Sequence, residues 1–175
     1  MAHFAGAPLN LTAKGDAEQL AEQLAGDLLP NGSVRLATGG QVSALPGYKA
    51  GDWWVQDAAA ALPVAVLNPQ PGESILDMCA APGGKTMQLA ASGAVVTALD
   101  ASATRMQRVK ENLVRTRLVA TLCVEDALAH SCGPYDAILL DAPCSATGTI
   151  RRHPDLPHAK DCLLYTSPSP RDTRS

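Results

Sequence analysis

The stretch Asp77-Met-Cys-Ala-Ala-Pro-Gly-Gly-Lys-Thr86 decides which fold is expected for this chain. Ahead of it, the apolar run that ends at Asp77 predicts a short buried strand. Behind it, Lys85 to Ala91 predicts the first turns of a helix. A strand, a glycine-bearing turn and a helix form the first βα unit of a doubly wound sheet, in which ligands bind at the carboxyl ends of the strands. The stretch therefore predicts an α/β fold with a ligand at this turn, although an ordinary tight βα turn uses similar residues.

Two nucleotide-binding motifs can be compared directly with the sequence. A P-loop requires a glycine five positions before Gly84-Lys85-Thr86, and that position is Cys79. The dinucleotide fingerprint G-x-G-x-x-G is also absent, because Gly83 and Gly84 are adjacent. Asp100 ends the next predicted strand, roughly 20 residues after the first strand's end, where a carboxylate meets ribose hydroxyls in such folds. The pattern favours a nucleoside without a phosphate chain, as in S-adenosylmethionine.

Two more aspartates follow predicted strands. Asp126 lies just beyond the strand predicted for residues 119–124, and Asp141 follows the apolar run from Tyr135 to Leu140. In a parallel sheet both positions fall at the ligand-binding edge. Asp126 could accept a hydrogen bond from an exocyclic amine such as that of adenine. It could equally cap the segment from Ala127 to His130.

The opening stretch, taken together with Asp141-Ala-Pro-Cys-Ser-Ala-Thr-Gly148, resembles the RNA (cytosine-5)-methyltransferase family. Within that family the bacterial 16S ribosomal RNA enzymes of the RsmB (Sun/Fmu) type are most similar, over about Asn10 to Asp161. The resemblance implies a Rossmann-like class I methyltransferase domain, S-adenosyl-L-methionine as cofactor and small-subunit ribosomal RNA as partner. It also implies a protein that is monomeric at full length. The five cysteines form no CxxC pair and no regular framework, which favours reduced thiols in a cytoplasmic protein.

The resemblance further implies which residues form the site. The implied cofactor contacts are Cys79, Ala80, Ala81, Pro82, Gly83, Gly84, Lys85, Asp100, Asp126 and Asp141. Asp141 is also a candidate catalytic residue. Lys85, Arg151 and Arg152 are expected to contact RNA, because basic side chains beside a catalytic loop can hold phosphates. A solvated basic turn is the alternative for the two arginines.

Cys144 is the candidate nucleophile on chemical grounds. Carbon 5 of cytosine accepts a methyl group only after a thiolate adds at carbon 6, and Cys144 follows a predicted strand beside Asp141. The resemblance assigns Cys144 a different role, in product release, and places the attacking thiol in a Thr-Cys motif on a later strand. None of the five cysteines follows a threonine.

We therefore expect a C-terminally truncated methyltransferase that keeps the cofactor-binding half and is inactive alone. Two alternatives remain open at this point. One is a complete small methyltransferase that uses Cys144 as its nucleophile. The other is a non-enzymatic RNA-binding module, which would bind RNA with a steep salt dependence and ignore the cofactor.

The chain divides into three predicted segments. Residues 1–46 are predicted to form an N-terminal α+β appendage, 47–161 the methyltransferase domain, and 162–175 a non-native tail that resembles translated sequencing adapter. The appendage resembles the small RNA-contacting subdomain of the family, although an accessory packing element with no RNA role has the same architecture. A natural Pro/Ser linker is the alternative for the tail. In the appendage, Asp16 predicts a helix start and Pro30-Asn-Gly32 its end, before a strand at residues 33–37.

The segment between the appendage and the opening stretch carries two further predictions. Trp53 and Trp54 either stack on bases or, as we favour, pin a loop to the core. Asp57 predicts the start of a helix over residues 58–67, which Pro63 should kink or split.

Composition limits the remaining possibilities. The formal net charge of −3 confines any RNA-binding surface to a local patch. There is no CxxC pair, and a zinc site from Cys123, His130 and Cys132 is disfavoured by its spacing. We expect no metal. No apolar run approaches the ~20 residues that cross a membrane, and the first residues lack the features of a secretory signal.

Overall fold

The computed structural model describes residues 8–37, 40–131 and 133–142. Within them, Pro8–Asp141 form one compact unit. The unit contains two four-stranded sheets, the first antiparallel and the second parallel. Cys144, Arg151 and Arg152 lie outside the described residues, as does the predicted tail.

The first sheet has the order β2-β3-β1-β4 and carries one helix. Its elements are β1 (Leu9–Ala13), α1 (Ala17–Leu24), β2 (Asp27–Leu28), β3 (Val34–Leu36) and β4 (Trp53–Val55). Every pairing in the sheet is antiparallel, and the side chains of Leu11, Leu20, Val34 and Trp53 form its core. Since β4 lies beyond residue 46, the sheet takes one strand from the next predicted segment. The division at residue 46 stays a prediction.

Helix α1 starts where the sequence predicts and ends earlier than predicted. The Asp16 carboxylate accepts hydrogen bonds from the backbone N–H groups of Glu18 and Gln19. The helix ends at Leu24, because Ala25 takes a left-handed conformation and the Gly26 N–H donates to the Ala21 carbonyl. A Cβ on Gly26 would lie 2.7 Å from the Leu36 side chain. The end expected at Pro30 was therefore wrong, since Gly26 must close the helix to pack on β3.

The two tryptophans belong to the core, which confirms the favoured prediction. Trp53 and Trp54 are both fully buried. The Trp53 indole N–H donates to the Pro46 carbonyl at 2.8 Å, and the Trp54 N–H donates to Gln56 Oε1 at 2.8 Å. Both indoles therefore pack and form hydrogen bonds inside the protein and are not exposed for stacking on bases.

Helix α2 (Ala58–Leu67) is continuous through Pro63, so the predicted split does not occur. The Asp57 carboxylate accepts from the Ala59 N–H and caps the helix as predicted. Side-chain amides also donate to carbonyls of its first turn: Asn31 to Ala58, Gln56 to Ala60 and Gln88 to Ala61. These donors stabilise the turn whose regular bonding a proline disturbs.

The second sheet is parallel, with the order β7-β6-β5-β8. Its elements are β5 (Ser74–Met78), α3 (Gly84–Ala91), β6 (Val95–Asp100), α4 (Ala103–Thr116), β7 (Thr121–Val124) and β8 (Ala137–Leu140). Two apolar clusters hold the helices to the sheet: Val64, Ile75, Leu89 and Val96 in one, and Trp54, Met87, Met106, Val109 and Leu113 in the other. The predicted α/β class is confirmed. Among the described residues, no helix has the length and apolar character needed to cross a membrane.

Candidate methyl-donor site

The end of β5 places a carboxylate beneath the glycine turn. Asp77 is fully buried, and its Oδ2 accepts a hydrogen bond of 2.6 Å from the Thr86 hydroxyl. Its Oδ1 has no hydrogen-bond partner among the described residues. Burial raises the pKa of Asp77 to about 6, against the Thr86 hydrogen bond and the charge of Lys85, which both lower it. Sequence reasoning did not identify Thr86, which ties the strand to the first turn of α3.

The turn itself has an unusual backbone. Cys79 has a positive φ of 62°, the Ala81–Pro82 peptide is cis, and Gly83 has a φ of 100°. The Ala80 N–H donates to the Leu99 carbonyl at 3.0 Å, which fastens the turn to β6. A Cβ on Gly83 would lie 3.1 Å from Val109 Cγ1, so α4 packs directly on this glycine. Gly83 therefore satisfies both a left-handed backbone and a close contact.

A buried amide network lies beside the start of α3. A Cβ built on Gly84 would lie 3.5 Å from the Gln56 side chain, so the two residues are neighbours. Gln56 Nε2 donates to Gln88 Oε1 at 3.1 Å while its Oε1 accepts from Trp54. The network fixes the turn from the side of the first sheet.

Asp100 is more enclosed than expected. Its Oδ1 accepts from the Ser102 N–H at 2.9 Å and from Arg105 Nη2 at 2.7 Å, and its Oδ2 accepts from the Ala81 N–H at 3.2 Å. The Asp100 side chain has no exposed surface, whereas that of Arg105 is 52% exposed. Sequence reasoning did not identify Arg105, although an arginine in the first turn after a strand-end aspartate is a usable signal.

The other two aspartates are exposed at the same edge of the sheet. Asp141 Oδ2 forms an ion pair of 2.6 Å with Lys85 Nζ and joins the end of β8 to the start of α3. Asp126 Oδ1 accepts from the Leu128 N–H at 2.9 Å, so it does cap the turn that follows. The Glu125 N–H donates to the Asp100 carbonyl, which brings the Asp126 loop next to β6.

The described cysteines do not resemble activated nucleophiles. Burial, and then the negative charge of Asp100, raise the pKa of the Cys79 thiol, so it stays protonated at neutral pH. Cys123 lies at the end of β7, with its sulfur 3.6 Å from Glu125 Oε2. Cys144, the candidate from the sequence, lies outside the described residues.

A cluster of possible metal ligands lies at the end of β7 and in the segment that follows it. Atoms of Cys123, Glu125 and His130 fall within 4.8 Å of one another. The structure thus joins two members of the disfavoured zinc set to Glu125, while Cys132 lies outside the described residues. His130 Nδ1 is 2.8 Å from Glu125 Oε2, and its Nε2 is 3.1 Å from the Tyr135 hydroxyl. These contacts account for the cluster without an ion, and the expected absence of a metal stays a prediction.

A parallel sheet with a glycine turn after β5, and with carboxylates at the end of β6 and after β7 and β8 at one edge, has the arrangement of a Rossmann-like class I methyltransferase domain. The sequence model of the 16S rRNA methyltransferase RsmB/F family matches residues 64–163. The chain belongs to this family.

Individual proteins agree with the family assignment. Ribosomal RNA small subunit methyltransferase B of Yersinia enterocolitica is 52% identical over 141 residues, which cover 77% of this chain and 33% of that protein. The crystal structure of PH0851 superposes with a TM-score of 0.80 at 26% identity, over 90% of this chain and 40% of the other. A methyltransferase homologue from Pyrococcus horikoshii gives a TM-score of 0.72 at 27% identity, over 86% and 55%. The chain spans about a third of the length of the Yersinia protein.

Proposed function

We propose that this chain binds S-adenosyl-L-methionine as part of an enzyme that methylates carbon 5 of cytosine in 16S ribosomal RNA. The observation that carries the proposal is the convergence of the 77–86 turn, Asp100 and the Lys85–Asp141 pair at one edge of a parallel sheet. The family and the site chemistry both support a methyl donor built on a nucleoside.

The methyl donor would occupy the edge formed by the turn and by Asp100 and Asp126. The free N–H groups at the start of α3 and the positive end of the helix favour the donor's carboxylate. Asp100 would accept the ribose hydroxyls, and Asp126 the adenine amine. Because Asp100 is buried, the ribose reaches it only if a covering group shifts. Arg105 is its only side-chain donor among the described residues, and it is half exposed.

The reaction also requires a thiolate at carbon 6 of the target base, and the base must be unstacked to reach it. Lys85 would contact the RNA, and its ion-pair partner Asp141 would lie beside the methyl group. The raised pKa of Cys79 argues against it as the nucleophile, and no cysteine of the chain follows a threonine. We therefore propose that the chain keeps the cofactor contacts and does not transfer the methyl group by itself.

Tritiated methyl transfer to unmodified small-subunit RNA tests this proposal. The positive control is a full-length relative such as the Yersinia methyltransferase B. The 175-residue chain should give no incorporation above background. The attacking thiolate is not in position, and misplacing reacting groups by about 1 Å already costs ~100-fold in rate. Incorporation that Cys144→Ala abolishes would overturn the proposal and make Cys144 the nucleophile of a complete small enzyme.

A further inference from the structure

Positive charge is concentrated on α4. Across the described ranges, the segment from Ala103 to Arg117 holds five of the nine lysines and arginines but only one of the fourteen acidic residues. The remaining described residues are strongly acidic. A helix with this composition is an electrostatic exception in a chain whose formal net charge is −3.

The side chains of α4 outside its buried stripe form two flanks, on either side of that stripe. Met106, Val109 and Leu113 form that stripe. At helical spacing, positions 105, 108, 112 and 115 share one flank, and positions 110 and 117 share the opposite one. We call the first the loop flank, and its members are Arg105, Arg108, Asn112 and Arg115.

The loop flank borders the methyl-donor turn. Asn112 Nδ2 donates to the Pro82 carbonyl at 3.1 Å, and Arg105 reaches Asp100 at 2.7 Å. A cavity of about 210 Å³ opens beside the flank, with Tyr48, Pro82 and Arg115 in its lining. The opposite flank has no hydrogen bond to the turn among the described residues.

The three arginines of the loop flank differ in how they are held. Arg105 pairs with Asp100. Arg115 stacks on the Tyr48 ring at 4.3 Å and donates to the carbonyls of Tyr48 and Trp53. Arg108 is exposed and has no hydrogen-bond or ion-pair partner among the described residues. Arg105 and Arg115 thus have partners, whereas Arg108 between them has none within the described part of the chain and is available to bind an anion.

We propose that the loop flank of α4 binds the phosphodiester backbone of the substrate RNA, with Arg108 as the direct phosphate contact. The inference rests on the proposed function, because it is the adjacent methyl-donor site that makes RNA the partner. The exposed side of α1 has the opposite charge, since Glu18, Glu22 and the capping Asp16 are all exposed. Phosphates are repelled there, so within the described residues the RNA path is assigned to α4 rather than to α1.

Fluorescence anisotropy with a labelled 20-nucleotide single-stranded RNA tests the assignment on the full 175-residue chain. Arg108→Ala should weaken RNA binding by about three- to tenfold at 0.1 M salt and reduce the slope of log K against log salt by roughly 0.7–0.9, the value for one lost phosphate contact. Lys110→Ala is the matched control, since it removes one exposed charge from the opposite flank of the same helix. It should change the affinity by less than about twofold.

Three results would overturn the assignment. They are equal effects of the two substitutions, an unchanged affinity in Arg108→Ala, and no RNA binding by the unmodified chain. Titration of the same samples with S-adenosylhomocysteine distinguishes failure of the RNA-binding assignment from failure of the proposed function. Cofactor binding without an Arg108 effect rejects the RNA path alone, whereas loss of cofactor binding by the unmodified chain rejects the methyl-donor site.

Discussion

At the scale of single residues, the site holds a buried carboxylate, Asp77, with few hydrogen-bond donors. It is fully buried, one carboxylate oxygen has only the Thr86 hydroxyl as donor, and the other has no donor among the described residues. Burial of a carboxylate favours its neutral form. The cost of keeping Asp77 ionised at neutral pH thus falls on a residue beside the glycine turn, and proteins often tolerate such costs at functional sites.

The raised pKa of Asp77 determines the direction in which the free energy of unfolding changes with pH. The folded value of about 6 lies above the ordinary 3.8, so the folded state binds more protons between these pH values. The stabilisation is complete below about pH 4 and is lost as the pH rises through 6. From pH 4 to 7 the free energy of unfolding should therefore fall by about 2–3 kcal/mol through this group, at about 1.4 kcal/mol per pKa unit.

Urea unfolding of the unmodified chain and of Asp77→Asn at several pH values measures this contribution. Asparagine keeps an acceptor for Thr86 and does not titrate, so the difference between the two proteins isolates Asp77. The unmodified chain should lose stability relative to Asp77→Asn as the pH rises. Parallel curves from pH 4 to 7 would contradict the assignment of the shift to burial.

At the scale of elements, the turn between β5 and α3 depends on Gly83. Its φ of 100° and the 3.1 Å approach to Val109 together make any side chain at this position costly. Gly72 offers a matched comparison, since it has a similar φ of 85° and a Cβ added there would meet no atom within 4 Å. Alanine at position 72 would add only backbone strain, whereas alanine at position 83 would add backbone strain and a close contact with Val109.

Gly72→Ala should lower the free energy of unfolding by about 1–2 kcal/mol, the cost of a left-handed conformation for a residue with a Cβ. Gly83→Ala should cost about 1–3 kcal/mol more, because the added methyl group displaces α4. Thermal and urea unfolding of both variants measure the difference. If the two variants lost equal stability, the contact between Gly83 and α4 would not constrain the turn.

Most elements were predictable from local patterns. The strands β6 and β8 are apolar runs that end in an aspartate or just before one, and β5 carries Asp77 one residue before its end. Asp16 and Asp57 mark helix starts by their capping side chains. The end of α1 was mispredicted because the apolar spacing continues to Leu28. The left-handed Ala25 and the Gly26 N–H bond to the Ala21 carbonyl end the helix locally, and Gly26 is a stop signal that the apolar spacing outweighed.

At the scale of the whole molecule, the sequence located the edge of the site but not its detailed geometry. The order of strands in a doubly wound sheet brings Asp77, Asp100, Asp126 and Asp141 to one edge, so their grouping followed from the pattern. The enclosure of Asp100 by Arg105 and the pairing of Lys85 with Asp141 depend on rotamers and on packing between helices. Neither can be obtained from spacing alone.

Calorimetric titration with S-adenosylhomocysteine tests the central claim most directly. The 175-residue chain should bind, and Asp100→Ala should weaken binding by about ten- to a hundredfold, because a charge-assisted hydrogen bond of roughly 1.5–3 kcal/mol is lost. Asp136→Ala is the matched control, since Asp136 lies at the opposite, amino end of β8 and accepts from the Ser74 N–H. The Asp136→Ala variant should bind S-adenosylhomocysteine with unchanged affinity. Unfolding curves establish that each variant is folded, and an unchanged affinity in folded Asp100→Ala, or no binding by the unmodified chain, would contradict the methyl-donor site.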